Sequence, residues 1–159
     1  MQVLIIYYSR TGNTKKFAYE IAKGVESIKD VKVVVKTSEE VQKEDFIKSE
    51  GVIVGSPVYF GTMAAEVKKV LDDFIGTRRK MEDKVGAAFA TSAHHTGGKE
   101  TTILSILEGL LIYGMIVVGD PLSSGGHYGA AFAGEMTDKS QKEAQALGAR
   151  VASLVKKLN

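Results

Sequence analysis

Near the N-terminus the chain reads Val3-Leu4-Ile5-Ile6-Tyr7-Tyr8-Ser9-Arg10-Thr11-Gly12-Asn13-Thr14, and the rest of the predicted architecture follows from this run. Val3 to Ile6 are all apolar and rich in β-branched residues, which is typical of a strand buried on both faces of a parallel sheet. The apolar character ends at Ser9. Apolar residues then recur at helical spacing from Phe17 to Ile28. We therefore predict a strand, a polar loop and a helix in immediate succession.

The polar loop carries groups that bind anions. Ser9, Thr11 and Thr14 supply hydroxyls, Asn13 supplies an amide, and Gly12 tolerates a positive φ that turns backbone N–H groups inward. The N-terminus of the following helix adds unpaired N–H donors and the positive end of its dipole. A single hydroxyl capping the helix is the simpler interpretation. Three hydroxyls beside a Gly-Asn pair exceed what one cap needs, so we predict a phosphate site.

Two common nucleotide motifs are absent from the sequence. It contains neither Gly-x-Gly-x-x-Gly, which binds dinucleotides, nor Gly-Lys-Ser/Thr, which binds nucleoside triphosphates. A loop with hydroxyls in place of extra glycines favours a terminal phosphate monoester.

Length and composition restrict the class of protein. The 159 residues are expected to form a single domain spanning 1–159 with an adequate core. Because the chain has 0 Cys, disulfides, Fe–S ligation and a thiolate nucleophile are excluded, and any redox chemistry must come from a bound cofactor. The net charge of +2 and the scattered lysines argue against nucleic-acid binding. We predict no metal site. With no leader pattern and no membrane-length apolar run, we expect a cytoplasmic location.

A second unusual loop follows the apolar strand Gly51 to Gly55. It reads Ser56-Pro57-Val58-Tyr59-Phe60-Gly61-Thr62. Pro57 sets the direction of the chain, so the rings of Tyr59 and Phe60 are expected at the sheet edge. Two core aromatics in an ordinary loop are the alternative interpretation.

A third unusual loop follows the strand Val85 to Ala90. It reads Thr91-Ser92-Ala93-His94-His95-Thr96-Gly97-Gly98 and contains two of the three histidines of the chain. Hydroxyls and glycines again follow a buried strand directly, which favours a binding role over a plain surface turn.

The other segments complete an alternating pattern of strands and helices. They are a strand at Val31–Val35, a polar connection with one helical turn at Thr37–Lys48, an apolar helix at Lys99–Ile112, a strand at Met115–Val118, a long glycine-rich loop at Gly119–Gly134 and a C-terminal helix. Five strands alternating with helices predict an α/β fold with a doubly wound, five-stranded parallel sheet and helices on both faces. The apolar helix is either deeply buried or shared with a second subunit.

In open parallel sheets, ligands bind outside the carboxyl ends of the strands, where the strand order reverses. The first, third and fourth strands deliver the three unusual loops, and one ligand contacting all three explains them together. A ligand with a terminal phosphate and a broad planar part fits this set of loops. We therefore predict that the cofactor is flavin mononucleotide, FMN.

The loops also resemble a known family. Tyr7 to Thr14 is similar to the phosphate loop of flavodoxin-like proteins. Ser56 to Ala65, with Val67 and Leu71-Asp72, resembles the flavin loop of the tryptophan-repressor-binding-protein type of NAD(P)H:quinone oxidoreductase. The resemblance extends over essentially the whole chain, through Thr91 to Gly98, Lys99-Glu100, Thr102-Ile103, Gly114-Met115 and Tyr128-Gly129-Ala130. It implies a flavodoxin-like sheet of strand order 2-1-3-4-5, FMN as cofactor and NAD(P)H as co-substrate.

The resemblance also implies roles for individual residues. Ser9, Arg10, Thr11, Gly12, Asn13 and Thr14 would hold the phosphate; Pro57, Val58, Tyr59, Phe60 and Gly61 would lie along the isoalloxazine ring; Thr91, Ser92, Ala93, His94, Gly97 and Gly98 would complete the pocket, with Tyr128 nearby. The candidates for a group that would stabilise charge on the reduced flavin are His94, His95, His127 and Tyr113, of which we favour His94, His127 and Tyr113 as catalytic residues. The family's tetramers imply a homo-oligomer, either dimer or tetramer.

The chain departs from the family pattern at three places. It has Tyr59 where the family carries an Arg, Ile112-Tyr113 where a His pair is usual, and a short connection at Thr37–Glu50.

The predicted function is electron transfer from NAD(P)H to quinones by a two-electron ping-pong mechanism. The alternative is a flavodoxin-like single-electron carrier, against which the net charge of +2 argues, because such carriers are strongly acidic. A phosphoryl-receiving response regulator is disfavoured because no acidic cluster follows the first strand.

Overall fold

A computed structural model describes residues 1–159 and contains a single six-stranded sheet surrounded by helices. The elements are β1 Gln2–Tyr7, α1 Asn13–Glu26, β2 Lys32–Thr37, α2 Lys43–Lys48, β3 Gly51–Pro57, α3 Ala65–Asp73, a 3₁₀ helix Ile75–Lys80, β4 Val85–Ser92, α4 Lys99–Ile112, β5 Ile116–Val117, a 3₁₀ helix Leu122–Ser124, β6 Ala130–Ala133 and α5 Asp138–Leu158. None of these helices is both long enough and apolar enough to cross a bilayer.

The strands are all parallel and lie in the order β2-β1-β3-β4-β5. The predicted α/β fold, with its order 2-1-3-4-5, is therefore confirmed. Chain order reverses at β1, because the chain passes from β1 to β2 on one side and then to β3 on the other. The loops after β1 and β3 consequently leave toward opposite faces, and a crevice opens between them.

The prediction for Gly119–Gly134 as one continuous loop is wrong, because its end forms strand β6. β5 pairs with Val85 and Gly86 at the start of β4, whereas β6 pairs with the stretch Phe89–Ser92 at its end. The edge strand is thus split into two collinear pieces, and the residues between them leave the sheet. Small residues dominate β6, so its sequence lacks the bulky β-branched signal of β1.

Alternating residues of the central strands enter two separate cores. Ile5 of β1 joins the core covered by α1 and α5, and Leu4 beside it joins the core covered by α2, α3 and α4. Both residues are fully buried, and complete burial of such a side chain contributes about 1.5–3 kcal/mol. This double burial explains why β1 and β3 read as unbroken apolar runs.

Helices α1 and α5 cross in close backbone contact. A Cβ placed on Gly24 of α1 would lie 2.0 Å from the carbonyl oxygen of Gln145, and one on Gly148 of α5 would lie 2.0 Å from that of Ile21. The two glycines therefore set the separation of the helices that cover one face of the sheet.

We predict that Gly24→Ala destabilises the fold by about 1–3 kcal/mol, because the added methyl meets backbone that cannot move aside. The gain in helix propensity, about 1 kcal/mol, does not offset this cost. Urea unfolding followed by circular dichroism measures the change.

Gly76→Ala is the matched control, since a Cβ at that position meets nothing within 4 Å. It should leave the free energy of unfolding unchanged or raise it by up to about 1 kcal/mol. Equal stabilities for the two variants would show that the helix crossing tolerates a side chain.

Candidate functional site

The loop between β1 and α1 forms a cradle of backbone donors. Gly12 occupies the N-cap position of α1 with φ 95, and no side chain caps the helix. The hydroxyl oxygen of Ser9 instead accepts hydrogen bonds from the N–H groups of Gly12, at 3.1 Å, and Lys15, at 3.2 Å. Two backbone donors thus converge on one oxygen atom. This is the arrangement by which a helix N-terminus binds an anion.

The cradle has room and further donors for a ligand. A Cβ at Gly12 would meet nothing within 4 Å, so the space beside the loop is open. The N–H groups of Asn13 and Thr14 lie in the first turn of α1, where no carbonyl four residues earlier can accept from them. Arg10 and Lys15 are exposed and add positive charge. These features fit the phosphate of FMN.

The loop after β3 presents an aromatic ring at the same edge. Tyr59 and Thr62 pair through reciprocal backbone hydrogen bonds of 3.1 Å, which close a tight turn. Within this turn Phe60 has φ 51 and a fully exposed ring. A non-glycine residue in the left-handed region costs about 1–2 kcal/mol and often marks a functional site. The prediction that Phe60 stands at the sheet edge is confirmed.

The ring of Tyr59 also contacts Tyr8, the first residue after β1. The two rings lie edge-on, with 6.4 Å between the centroids. Burial and a hydrogen bond to Glu66 raise the pKa of Tyr8. Glu66, at the start of α3, was not singled out from the sequence, because an acidic residue in a predicted helix normally marks only a solvated surface.

The loop after β4 closes upon itself and touches the loop after β3. The hydroxyl of Ser92 donates to the carbonyl of His94 at 2.7 Å, and the N–H of Gly97 donates to the same oxygen at 3.1 Å. Gly98 has φ 99, and a Cβ there would lie 2.9 Å from the Cα of Gly61. This contact is possible only without a side chain. The tip of the loop leaves the side chain of His94 exposed at the rim.

Tyr113 lies away from these three loops. It caps the C-terminus of α4, at the end opposite Gly98, and is 2% exposed. Its hydroxyl donates to the carbonyl of Leu71 at 2.6 Å, and its ring packs against Phe46. The prediction of Tyr113 as a catalytic group is therefore wrong for this chain. Its hydroxyl is committed to holding α3 against α4.

His127 and Tyr128 lie beyond the third loop. With Lys99 and Glu100 of α4 they line a cleft of about 230 Å³. The buried carboxylate of Asp120 accepts the backbone N–H of His127 at 2.7 Å and lies 3.5 Å from its Nδ1.

Arg150 holds the backbone at the start of the segment that carries His127. Its guanidinium donates to the carbonyls of Gly119 and Asp120, at 3.1 and 2.7 Å. Sequence reasoning missed both Asp120 and Arg150. The Gly-Asp-Pro run at 119–121 was the available signal, since Asp and Pro commonly start ordered turns.

The reversed strand order, the open carboxyl edge and the anion cradle define a flavodoxin-like protein. Comparisons with known sequences specify it further. A model of the NADPH-dependent FMN reductase family matches residues 1–129, and the chain belongs to this family. The predictions of a flavodoxin-like protein and of FMN as its cofactor are confirmed.

The relatives and solved structures that resemble the chain fall into two groups. It is 38% identical to a flavodoxin from Aquifex aeolicus, over 97% of this chain and 86% of the relative. It is 34% identical to an NAD(P)H dehydrogenase (quinone) from Archaeoglobus fulgidus, over 99% and 98% of the two chains. A flavodoxin structure from the domain Archaea superposes with a TM-score of 0.83 at 29% identity, covering 98% and 99% of the two chains. A WrbA-like protein from Agrobacterium tumefaciens gives 0.84 at 23% identity and 99% coverage of both chains, which supports the fold alone.

We predict that Tyr113→Phe lowers the free energy of unfolding by about 0.5–1.5 kcal/mol and leaves the rate of flavin reduction unchanged. The carbonyl of Leu71 loses its donor, whereas the three loops keep all their contacts. Tyr128→Phe, at a half-exposed tyrosine beside the cleft, is the control for stability and should be neutral.

Alkaline unfolding provides an independent readout on the same variant. Burial raises the pKa of Tyr113 to about 12. A folded-state pKa above the unfolded value of 10 stabilises the fold below pH 10, and this stabilisation is lost as the pH rises toward 12. Tyr113→Phe should therefore lose less stability than the parent protein over that interval. An unchanged alkaline profile would contradict the buried placement of the hydroxyl.

Proposed function

We propose that residues 1–159 act as a single-domain, FMN-dependent oxidoreductase that transfers electrons from NAD(P)H to quinones by a two-electron ping-pong mechanism. The observation that carries this proposal is the meeting of three loops at one carboxyl edge, with an anion cradle at one end and an exposed ring at the other. Quinone-reducing relatives at 34% identity over nearly the whole chain support the reaction class.

Three groups of residues at this edge contact different parts of FMN in the proposal. Ser9 to Thr14 bind its phosphate, Pro57 to Gly61 lie along its ring, and Thr91 to Gly98 complete the pocket, with Tyr128 at the outer side. When bound, FMN would supply the hydride-accepting and electron-donating chemistry. The chain supplies orientation and hydrogen-bond donors where negative charge develops.

His94 and His127 are the proposed proton-handling groups. His94 is exposed at the rim of the third loop. His127 is fixed through its backbone by the buried Asp120, whose carboxylate also lies 3.5 Å from its Nδ1. A histidine changes protonation near neutral pH and so can deliver protons to a reduced acceptor.

The proposed ping-pong order requires the donor and the acceptor to use one open edge in turn. The second and third loops are in contact at Gly61 and Gly98, so the two loops form a continuous rim. Donor and acceptor would then approach the ring at the same place in turn. The donor must leave before the quinone enters.

A single-electron carrier is the second candidate function. The flavodoxin relative at 38% identity and the solved archaeal flavodoxin favour it, as does the short connection between β2 and β3. The net charge of +2 argues against it, since carriers that dock basic partners depend on opposite charge.

Anaerobic mixing of the FMN-loaded protein with NADPH or NADH separates the two functions. We expect fast bleaching of the oxidised flavin absorbance and its recovery when benzoquinone is added. Parallel double-reciprocal plots would support ping-pong order. In the same assay, His94→Ala and His127→Ala should slow recovery with the quinone by about 10²-fold, because each removes a proposed proton donor.

His95→Ala is the matched control for the histidine variants, because His95 is equally exposed in the same loop and has no role in the proposal. Absence of bleaching by either nucleotide, with flavin reduction by dithionite in two separate one-electron steps, would contradict the enzyme and support the carrier.

We also propose that the chain forms a homo-oligomer through the outer face of α4. Leu111 and Ile112 are 55% and 57% exposed, and Ile75 and Ile116 beside this end of α4 are 51% and 43% exposed. Exposed apolar residues grouped in this way are typical of an interface between subunits.

Leu111→Lys should convert the oligomer to monomer, because a charge placed in an apolar interface loses its hydration. Light scattering coupled to size exclusion measures the mass. Leu158→Lys is the control, since Leu158 is equally exposed, at 54%, but lies at the end of α5. Equal masses for the parent and both variants would contradict an interface at α4.

A further inference from the structure

The three loops of the flavin site meet at one residue, Thr91, near the end of β4. Thr91 is 4% exposed. Its carbonyl accepts the N–H of Val58 in the second loop at 2.8 Å. Its hydroxyl oxygen lies 2.8 Å from that of Thr14 in the first turn of α1. The third loop begins at Thr91 itself, so one residue links the phosphate cradle to both loops that hold the ring.

Thr14 and Thr91 together have two hydroxyl hydrogens, and the protein provides an acceptor for only one of them. Each hydroxyl has one hydrogen and can also accept. Thr14, at 2% exposed, and Thr91 form a single hydrogen bond with each other, and neither side chain has a further protein partner. Whichever hydroxyl donates, the hydrogen of the other is left without a protein acceptor. A buried polar hydrogen of this kind is costly unless a partner satisfies it.

The position of Thr14 identifies the chemistry of that partner. Thr14 lies in the same turn as the donors that converge on the Ser9 oxygen, where the helix dipole favours negative charge. An anionic oxygen there accepts from Thr14. Thr14 can then satisfy its own oxygen only by accepting from Thr91. An anion in the cradle therefore selects one of the two possible directions of the hydroxyl pair.

We propose that Thr91 is a positioning residue for the FMN phosphate: its hydroxyl donates to Thr14 and so aims the hydrogen of Thr14 at a phosphate oxygen. The two hydrogen bonds run in one direction and polarise each other, which strengthens the bond to the anion. This role depends on FMN binding alone and holds whether the bound flavin serves an enzyme or a carrier. Thr91 thus acts on the phosphate without contacting it.

Thr91→Val tests this role, because valine preserves the shape and the backbone bond to Val58 but has no hydroxyl. Titration of the flavin-free, full-length chain with FMN and with riboflavin, followed by flavin fluorescence, gives both dissociation constants. We expect FMN to bind about tenfold more weakly to Thr91→Val, a change equivalent to about 1.4 kcal/mol. Riboflavin has no phosphate, and its dissociation constant should not change.

Three further variants make the test specific. Thr91→Ser retains the hydroxyl and should restore the parent affinity for FMN. The double variant Thr14→Val with Thr91→Val should bind FMN as Thr14→Val alone does, because Thr91 acts through Thr14. Thr102→Val is the control for a buried hydroxyl elsewhere, since the Thr102 hydroxyl has no partner and should not affect the ratio of the two constants.

Two results would overturn the proposal. Equal weakening of FMN and riboflavin by Thr91→Val would mean that the residue only supports the loops. Additive losses in the double variant would mean that Thr91 and Thr14 act separately. Neither result depends on turnover, so failure of the quinone reaction leaves this test intact.

Discussion

The reversal of strand order at β1 is the constraint on which the rest of the structure depends. Because β2 and β3 flank β1 on opposite sides, α1 leaves β1 toward one face and the chain after β3 leaves toward the other. The backbone cannot fill the space between these two departures, and a crevice results. The cradle at Gly12 and the turn at Phe60 occupy its two sides. Parallel pairing places the end of β4 next to them, so the third loop completes the edge.

Much of this arrangement could be predicted because burial on both faces leaves a strong signal in the sequence. Val3 to Ile6 cannot alternate with polar residues when both faces are covered, and α4 was predicted with its observed bounds, Lys99–Ile112. β6 was missed because three of its four residues, Ala130–Ala133, are alanines, which have little strand propensity and owe their conformation to pairing with β4. Tyr113 was misassigned because α4 is about 20 Å long, so its two ends cannot serve one site.

The hydroxyls of the site show a second limit of sequence reasoning. Their number predicted an anion site, yet the sequence does not distinguish a hydroxyl that faces a ligand from one that holds a loop. Ser92 uses its hydrogen to close the third loop on His94, whereas Thr14 and Thr91 share a bond across 77 positions of sequence. Such a pair becomes visible only when the sheet register is known. Residue type therefore predicted the chemistry, and the tertiary contacts assign the individual roles.

The charge around the edge bears on which electron donor approaches it. Arg10 and Lys15 flank the cradle as exposed cations, and Lys99 closes the third loop by donating to the carbonyl of His95 at 2.9 Å. A protein partner with a basic docking surface would meet like charge here, which lowers both affinity and association rate. The phosphates of a nicotinamide nucleotide would meet opposite charge. Two proteins that share the same fold and cradle can thus differ in function through the charge of the rim, because the fold positions the flavin and the rim selects what reaches it.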